Sequence, residues 1–224
     1  MVIQADAEEI VLKYNGTSPS SMLTCAVRPA GIFGEKDTTI TKKLLEHSAS
    51  ASNLVLRMQL GNNDNLFDFT YVGNIAVGHT LAAKGLLMTY DRQEKSLGAP
   101  LDHERVDGEA FNITNDSPVY FWDMSRAISA MIGKIVEPNQ VITLPESLLG
   151  PIGFLAETIL GIFGKTPRLT RRTVRYSCMT RYYSPNKAKL RLGYDPPIAV
   201  DEGVARAVGY VLASEKLVGE KKAL

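Results

Sequence analysis

Two hydrophobic spacings alternate along the first half of this chain. Ile3, Ala7, Ile10, Val11 and Tyr14 recur at helical spacing, and Asn15-Gly16 is a stop signal. Residues 22–27 are a short apolar run ending at Arg28-Pro29, the pattern of a buried strand that runs into a loop. Residues 37–48, opened by Asp37-Thr38-Thr39, predict a helix, 54–59 a strand, 61–65 a turn, and 67–71 a second short strand. The strongest periodicity follows: Val72, Ile75, Ala76, His79, Ala82, Ala83 and Leu86 fall on one helical stripe. On that stripe His79 is expected to be a buried, hydrogen-bonded core residue rather than a ligand or base.

The second half is more mixed. Residues 89–106 read as a polar loop, 110–114 as a strand, 121–132 as an amphipathic helix in which Trp122 packs into the core, and 141–144 as a brief strand. An apolar stretch over 148–163 is interrupted by Pro151 and Glu157, and 168–183 is irregular and basic. Two helices are expected over 185–192 and 202–214, followed by a charged tail over 215–224. Early alternation of helix and strand argues for an α/β chain, because parallel strands need crossover connections and these helices supply them.

Composition narrows the function without naming it. Apolar content of 45% and charged content of 22% are those of a globular protein, and a net charge of +1 gives no global field for nucleic acid. Cys25 and Cys178 are far apart in sequence, which yields neither a disulfide framework nor a zinc spacing and fits a reducing compartment. His47, His79 and His103 have no metal-ligand neighbour at helical spacing, so no metal is expected. Residues 1–9 lack the basic and apolar regions of a signal peptide. The apolar stretch is shorter than the roughly 20 residues a bilayer-spanning helix needs. A dinucleotide fold places a Gly-rich turn between its first strand and helix, and neither Gly-x-Gly-x-x-Gly nor Gly-x-x-Gly-x-x-Gly occurs anywhere in the sequence.

Several segments, in order, resemble one enzyme family. They include Ala7-Glu8-Glu9-Ile10-Val11-Leu12, Arg28-Pro29-Ala30-Gly31-Ile32-Phe33-Gly34, 65–74, 79–83 and Leu192-Gly193-Tyr194. The narrowest is Phe111-Asn112-Ile113-Thr114-Asn115-Asp116, followed by Phe121-Trp122-Asp123. The family is the decarboxylating sterol 4α-carboxylate 3-dehydrogenases, of the 3β-hydroxysteroid dehydrogenase branch of the extended short-chain dehydrogenases. The resemblance implies an α/β fold: the C-terminal portion of such an enzyme, a partial Rossmann sheet plus a substrate-binding lobe, with residues 1–224 forming one incomplete unit in which the two are interleaved.

The implied activity is oxidation of the 3β-hydroxyl of a 4α-carboxysterol, with NAD or NADP as hydride acceptor and loss of carbon dioxide. In the family a tyrosine acts as acid/base, and a lysine four residues later lowers its pKa, since a phenol of pKa about 10 is a poor base without a nearby cation. Matching Ala7-Glu8 and the following apolar run puts Gln4 at the lysine position and the tyrosine one residue before Met1. The resemblance therefore leaves no catalytic residue intact, and the chain is expected to be inactive alone and to bind the cofactor poorly. The backbone of Pro29, Ala30, Gly31 and Ile32 is implied to pass the nicotinamide. A turn that uses proline and glycine for conformation alone is an equal reading. Asp68, Tyr71 and Asn74 are implied to frame the substrate pocket, with helix capping and packing as the alternative.

A sterol substrate dissolves in membranes, and residues 145–165, followed by Arg168, Arg171, Arg172 and Arg175, make a candidate membrane-interface helix. A buried core helix beside a solvated basic loop is the competing reading. The family places the chain at the cytoplasmic face of the endoplasmic reticulum membrane. Its expected partners are a sterol, a membrane surface and a second polypeptide, either a copy of itself or a full-length homologue. No nucleic-acid partner is expected. The alternative function is a catalytically inactive fragment that binds sterol, membrane or such a homologue. Another hydroxysteroid or a nucleotide sugar is the competing substrate, because this fold hosts many substrates, and the Phe121-Trp122 segment argues against the sugar.

Overall fold

The computed structural model describes residues 2–17, 22–145 and 170–222. In chain order the first elements are α1 (Val2–Lys13), β1 (Ala26–Pro29), β2 (Gly31–Phe33), α2 (Thr41–Ser50), α3 (Asn53–Arg57), β3 (Met58–Leu60), β4 (Leu66–Phe67), β5 (Phe69–Tyr71) and α4 (Val72–Glu94). There follow β6 (Ala110–Ile113), β7 (Val119–Tyr120), α5 (Phe121–Met131), β8 (Ile142–Leu144), α6 (Arg171–Cys178), α7 (Asn186–Leu192) and α8 (Val200–Lys222). Strands pair two by two: β1 with β6 and β3 with β8 in parallel, β4 with β7 antiparallel, and β2 with β5. The sequence treats 1–224 as one interleaved unit. Contacts divide it into two compact units, one of Met1–Ile32, Phe69–Ser117 and Tyr183–Glu202, the other of Phe33–Asp68, Pro118–Tyr182 and Gly203–Leu224.

The first unit is built on the parallel pair β1 and β6, in register from Ala26 opposite Ala110 to Pro29 opposite Ile113. Phe111 and Ile113 are fully buried and pack with Ile75, Val106, Ala188 and Tyr194, flanked by Val27, Leu81 and Leu86. Each such side chain contributes about 1.5–3 kcal/mol by leaving water. Helix α4 lies against this core by part of the predicted stripe, Ile75, Ala82 and Leu86, but not by the rest of it. Its buried positions are Asn74, Ile75, Gly78, Ala82 and Thr89, whereas Val72, Ala76, His79 and Ala83 are exposed. The reason is close approach. A Cβ at Gly78 would sit 3.0 Å from Ile113 Cδ1, and one at Gly85 would sit 2.7 Å from Val106 Cγ2. The helix docks on its glycines, which a hydropathy stripe does not count. His79 is therefore a surface residue, with Nδ1 2.9 Å from the Ile75 carbonyl one turn back. The helix also continues to Glu94, through the first six residues of the expected loop. No glycine or proline interrupts it there, and Thr89 is still buried.

In the second unit α2 packs on α5, with Leu45 and Thr41 facing inward on one and Met124 and Ile128 on the other. The Ser48 and Ser129 hydroxyls meet at 2.7 Å between them. Asp37 starts α2: its carboxylate accepts the backbone N–H groups of Thr39, Ile40 and Thr41 and the Thr39 hydroxyl. Burial pushes its pKa up, and these bonds outweigh burial and hold it below the usual carboxylate range.

Three expectations change in this unit. Residues 53–57 form a helix, because Ser52 Oγ accepts the Val55 N–H and caps a turn, and only Met58–Leu60 remains strand. The basic 171–178 segment is helix α6, capped by the Thr170 hydroxyl on Thr173 N at 3.0 Å. The charged tail is helical through Lys222, continuing α8, whose buried stripe is Val204, Ala207, Val208 and Val211. Trp122 is partly buried, with Nε1 donating to the Leu60 carbonyl at 2.9 Å and its ring edge-on to Phe121. The candidate helix over 145–165 lies, apart from residue 145, outside the described residues.

Candidate functional site

Parallel register sends the two chains leaving β1 and β6 out on the same side of the first unit. The crevice beyond the carboxyl ends of parallel strands is where open α/β sheets bind ligands. At this end stand Pro29–Ile32 after β1 and Thr114–Asp116 after β6. Pro29 is half-buried opposite Ile113, Ala30 is buried, Gly31 is half-buried and Ile32 is exposed. Of the implied nicotinamide-passing residues, Ile32 alone is open to solvent.

Tyr71 and Asn74 meet the same edge through a residue to which sequence reasoning gave no role. Asn115, at the exit of β6, accepts the Tyr71 backbone N–H at 2.9 Å and the Asn74 amide at 3.0 Å on one oxygen. Its own amide donates to the Ile198 carbonyl at 2.8 Å. Asn74 also donates to that carbonyl, at 2.7 Å, and accepts the Ile198 N–H at 3.1 Å. Asn74 is completely buried, and Asn115 and Tyr71 are nearly so. Both amides are spent inside the fold, so Asn74 and Asn115 clasp three segments: the start of α4, the exit of β6 and the approach to α8. Their chemistry is backbone positioning. The sequence signal was there, since Asn115 lies in the polar run that follows a buried strand. Only the long-range partner Ile198 reveals its role.

Tyr194 closes the same edge. Its hydroxyl donates to the Thr114 carbonyl at 2.8 Å, and the ring is buried. Burial first, then the charges of Asp195 and Asp116, push its ionisation well above the ordinary phenol range, so it stays a neutral donor and is no base. Beside it Lys189 pairs with Asp116, and Glu109 accepts from Lys187 and Arg191. The Lys187 hydrogen bond is the main cause that holds Glu109 below the usual carboxylate range, working against burial.

The remaining sequence candidates stand elsewhere. Gln4 is exposed on α1. Asp68 is buried in the second unit, just after β4, its backbone N–H donating to the Arg181 carbonyl at 2.9 Å. Tyr71 and Asn74 are brought together in the first unit. A dinucleotide needs a cradle for its pyrophosphate as well as a wall for its nicotinamide. The described residues offer strand-end backbone at Ala30–Ile32 for the second, and no Gly-rich strand-to-helix turn for the first. They do not by themselves fit NAD or NADP.

Solved structures share this α/β fold. An epimerase from Methanothermobacter thermautotrophicus superposes with a TM-score of 0.59 at 15% identity, covering 98% of this chain and 51% of that one. The dTDP-glucose 4,6-dehydratase of Bacillus anthracis, solved with NAD, gives 0.56 at 14% identity, covering 95% and 51%. Residues 2–146 match the model of the 3-beta hydroxysteroid dehydrogenase/isomerase family, and the chain belongs to that family. It is 38% identical over 208 residues to the decarboxylating sterol-4-alpha-carboxylate 3-dehydrogenase of Saccharomyces cerevisiae, covering 93% of this chain and 55% of the yeast protein. The chain spans about half the length of the fungal relatives it matches.

Proposed function

We propose that this chain is the sterol-handling part of an NAD(P)-dependent 3β-hydroxysteroid dehydrogenase that oxidises and decarboxylates 4α-carboxysterols in sterol biosynthesis. The observation that carries the proposal is its family membership, together with the activity shared by relatives at 32–38% identity. Oxidation of the 3-hydroxyl places a ketone β to the 4-carboxylate. The carbon–carbon bond then breaks, carbon dioxide leaves, and its electron pair is held by the ketone. That second step asks little of the protein beyond holding the sterol. Hydride acceptance asks for a pyrophosphate cradle, which the described residues do not provide, so the chain alone turns nothing over. Ile32 and its neighbours at the strand ends form the wall that a nicotinamide would face, and the Asn74–Asn115 clasp holds that wall in place.

Membrane and partner binding belong to the same proposal. The 148–163 stretch supports work at the surface of the endoplasmic reticulum membrane, where a sterol is dissolved. Ile3, Ile10, Val11 and Tyr14 form an exposed stripe on α1 and support pairing with a second polypeptide, a full-length homologue or another copy.

A radiolabelled 4α-carboxysterol in detergent micelles tests the substrate. We expect saturable binding that an excess of the unlabelled carboxysterol displaces and a UDP-sugar does not, with no labelled carbon dioxide released on adding NAD⁺. Displacement by the UDP-sugar would replace the sterol reading with a sugar-nucleotide one. Release of carbon dioxide would overturn the claim that the chain is inactive alone.

A further inference from the structure

Charge is segregated along this chain in a way the net value hides. From Thr158 to Tyr183 there are six lysines and arginines and no aspartate or glutamate, in a protein of net charge +1. The described part of that stretch contains α6. Its inner side is fixed: Val174 and Ser177 are buried, and the Tyr176 ring meets Phe67 and Phe121 edge-on at 5.3 and 6.0 Å. The outer side carries Arg172 and Arg175, one turn apart, and Met179 follows just past the end of the helix. These three are exposed, as is Tyr182 a little further on. Neither Arg172 nor Arg175 is in an ion pair among the described residues.

Two guanidinium groups followed by an exposed methionine and tyrosine suit a lipid–water interface. Arginine stems and the phenol ring lie in the boundary while the charged heads reach phosphates. Nucleic acid would take the same charge, but it gives no reason for the 148–163 apolar run just upstream. We propose that the outer face of α6 docks the phosphate headgroups of an anionic bilayer. This inference rests on the membrane reading above and adds to it a specific face and a specific lipid chemistry.

The test is vesicle flotation of the full chain, with phosphatidylcholine vesicles in one arm and mixed phosphatidylcholine–phosphatidylserine vesicles in the other. An exposed cation near an anionic membrane is worth about a fivefold factor in partitioning, so Arg172→Gln with Arg175→Gln should weaken flotation with the anionic vesicles roughly thirtyfold. The charge-keeping pair Arg172→Lys with Arg175→Lys should float as the natural chain does, and added salt should mimic the glutamine pair. Circular dichroism of the glutamine pair matching that of the natural chain ties the loss to the surface. Equal flotation on both vesicles, unchanged by the glutamine pair, overturns the proposal and leaves the membrane reading standing on the apolar stretch. Flotation on neither overturns both. Failure to float on anionic vesicles with salt-sensitive retention on duplex RNA, lost in the glutamine pair, overturns the lipid in favour of a nucleic acid.

Discussion

Replacing Asn74 with alanine removes three hydrogen bonds at once: two to Ile198 and one to Asn115. Each such bond is worth about 1 kcal/mol net, and the Ile198 N–H is left without its acceptor, so the loss is about 3 kcal/mol. Asn115→Ala also removes three, one of them shared with Asn74 and another the acceptor of the buried Tyr71 N–H, and costs about 3–4 kcal/mol. Against a total stability of about 5–15 kcal/mol, either is a large fraction. The two losses are not independent, because the Asn74–Asn115 bond is counted in both and Ile198 is a shared partner. The double variant should fall short of the sum by about 1–2 kcal/mol. Urea unfolding followed by far-ultraviolet circular dichroism reads this directly, with a midpoint shift of about 1 M expected for each single variant. Singles that barely move the midpoint, or a strictly additive double, would refute the clasp.

Gly78→Ala puts a Cβ within 3.0–3.1 Å of three Ile113 atoms and should destabilise by about 1–3 kcal/mol despite better helix propensity, whereas Gly209→Ala meets nothing and should stabilise by about 0.5–1 kcal/mol. Thermal melting that gives both the same sign would contradict this packing. In an alkaline absorbance titration of the nine tyrosines, Tyr194 should hold its proton until the chain unfolds, since a phenol raised by burial gives stability that is lost as pH climbs past the ordinary value of about 10. Tyr194→Phe should remove that late step and leave the others. Glu109 is held below its ordinary value, so its contribution is present above about pH 4.3 and is lost as pH falls through the lowered value. Between neutral pH and about pH 3, Glu109→Gln should therefore lose less stability than the natural chain, and parallel losses would sink the assignment.

The sequence revealed what rests on local pattern and missed what rests on distance. Helix α4, strand β6 and the amphipathic α5 were legible because their apolar periods are strong. The face that α4 buries was legible only in part: Ile75 and Ala82 were on the expected stripe, but Gly78 and Gly85 fit only because Ile113 and Val106 lie against them. Helix α3 was read as strand because Leu54, Val55 and Leu56 form an apolar run, and a single cap from Ser52 reversed it. Helix α6 looked irregular because its charges dominate, yet Val174 and Ser177 supply a buried side. The family was legible in the segment around Asn115. The work of Asn115 was not, because its partner Ile198 lies 83 residues further on.

The account depends on a proposed division of labour, in which the chain supplies the sterol-handling part and a wall at its strand ends, while its described residues include no cradle for a dinucleotide. Fluorescence titration of NADH into the purified 224-residue chain measures that claim. The account predicts no saturable enhancement below millimolar concentration. A micromolar dissociation constant, with the chain folded and monitored by circular dichroism, would contradict it.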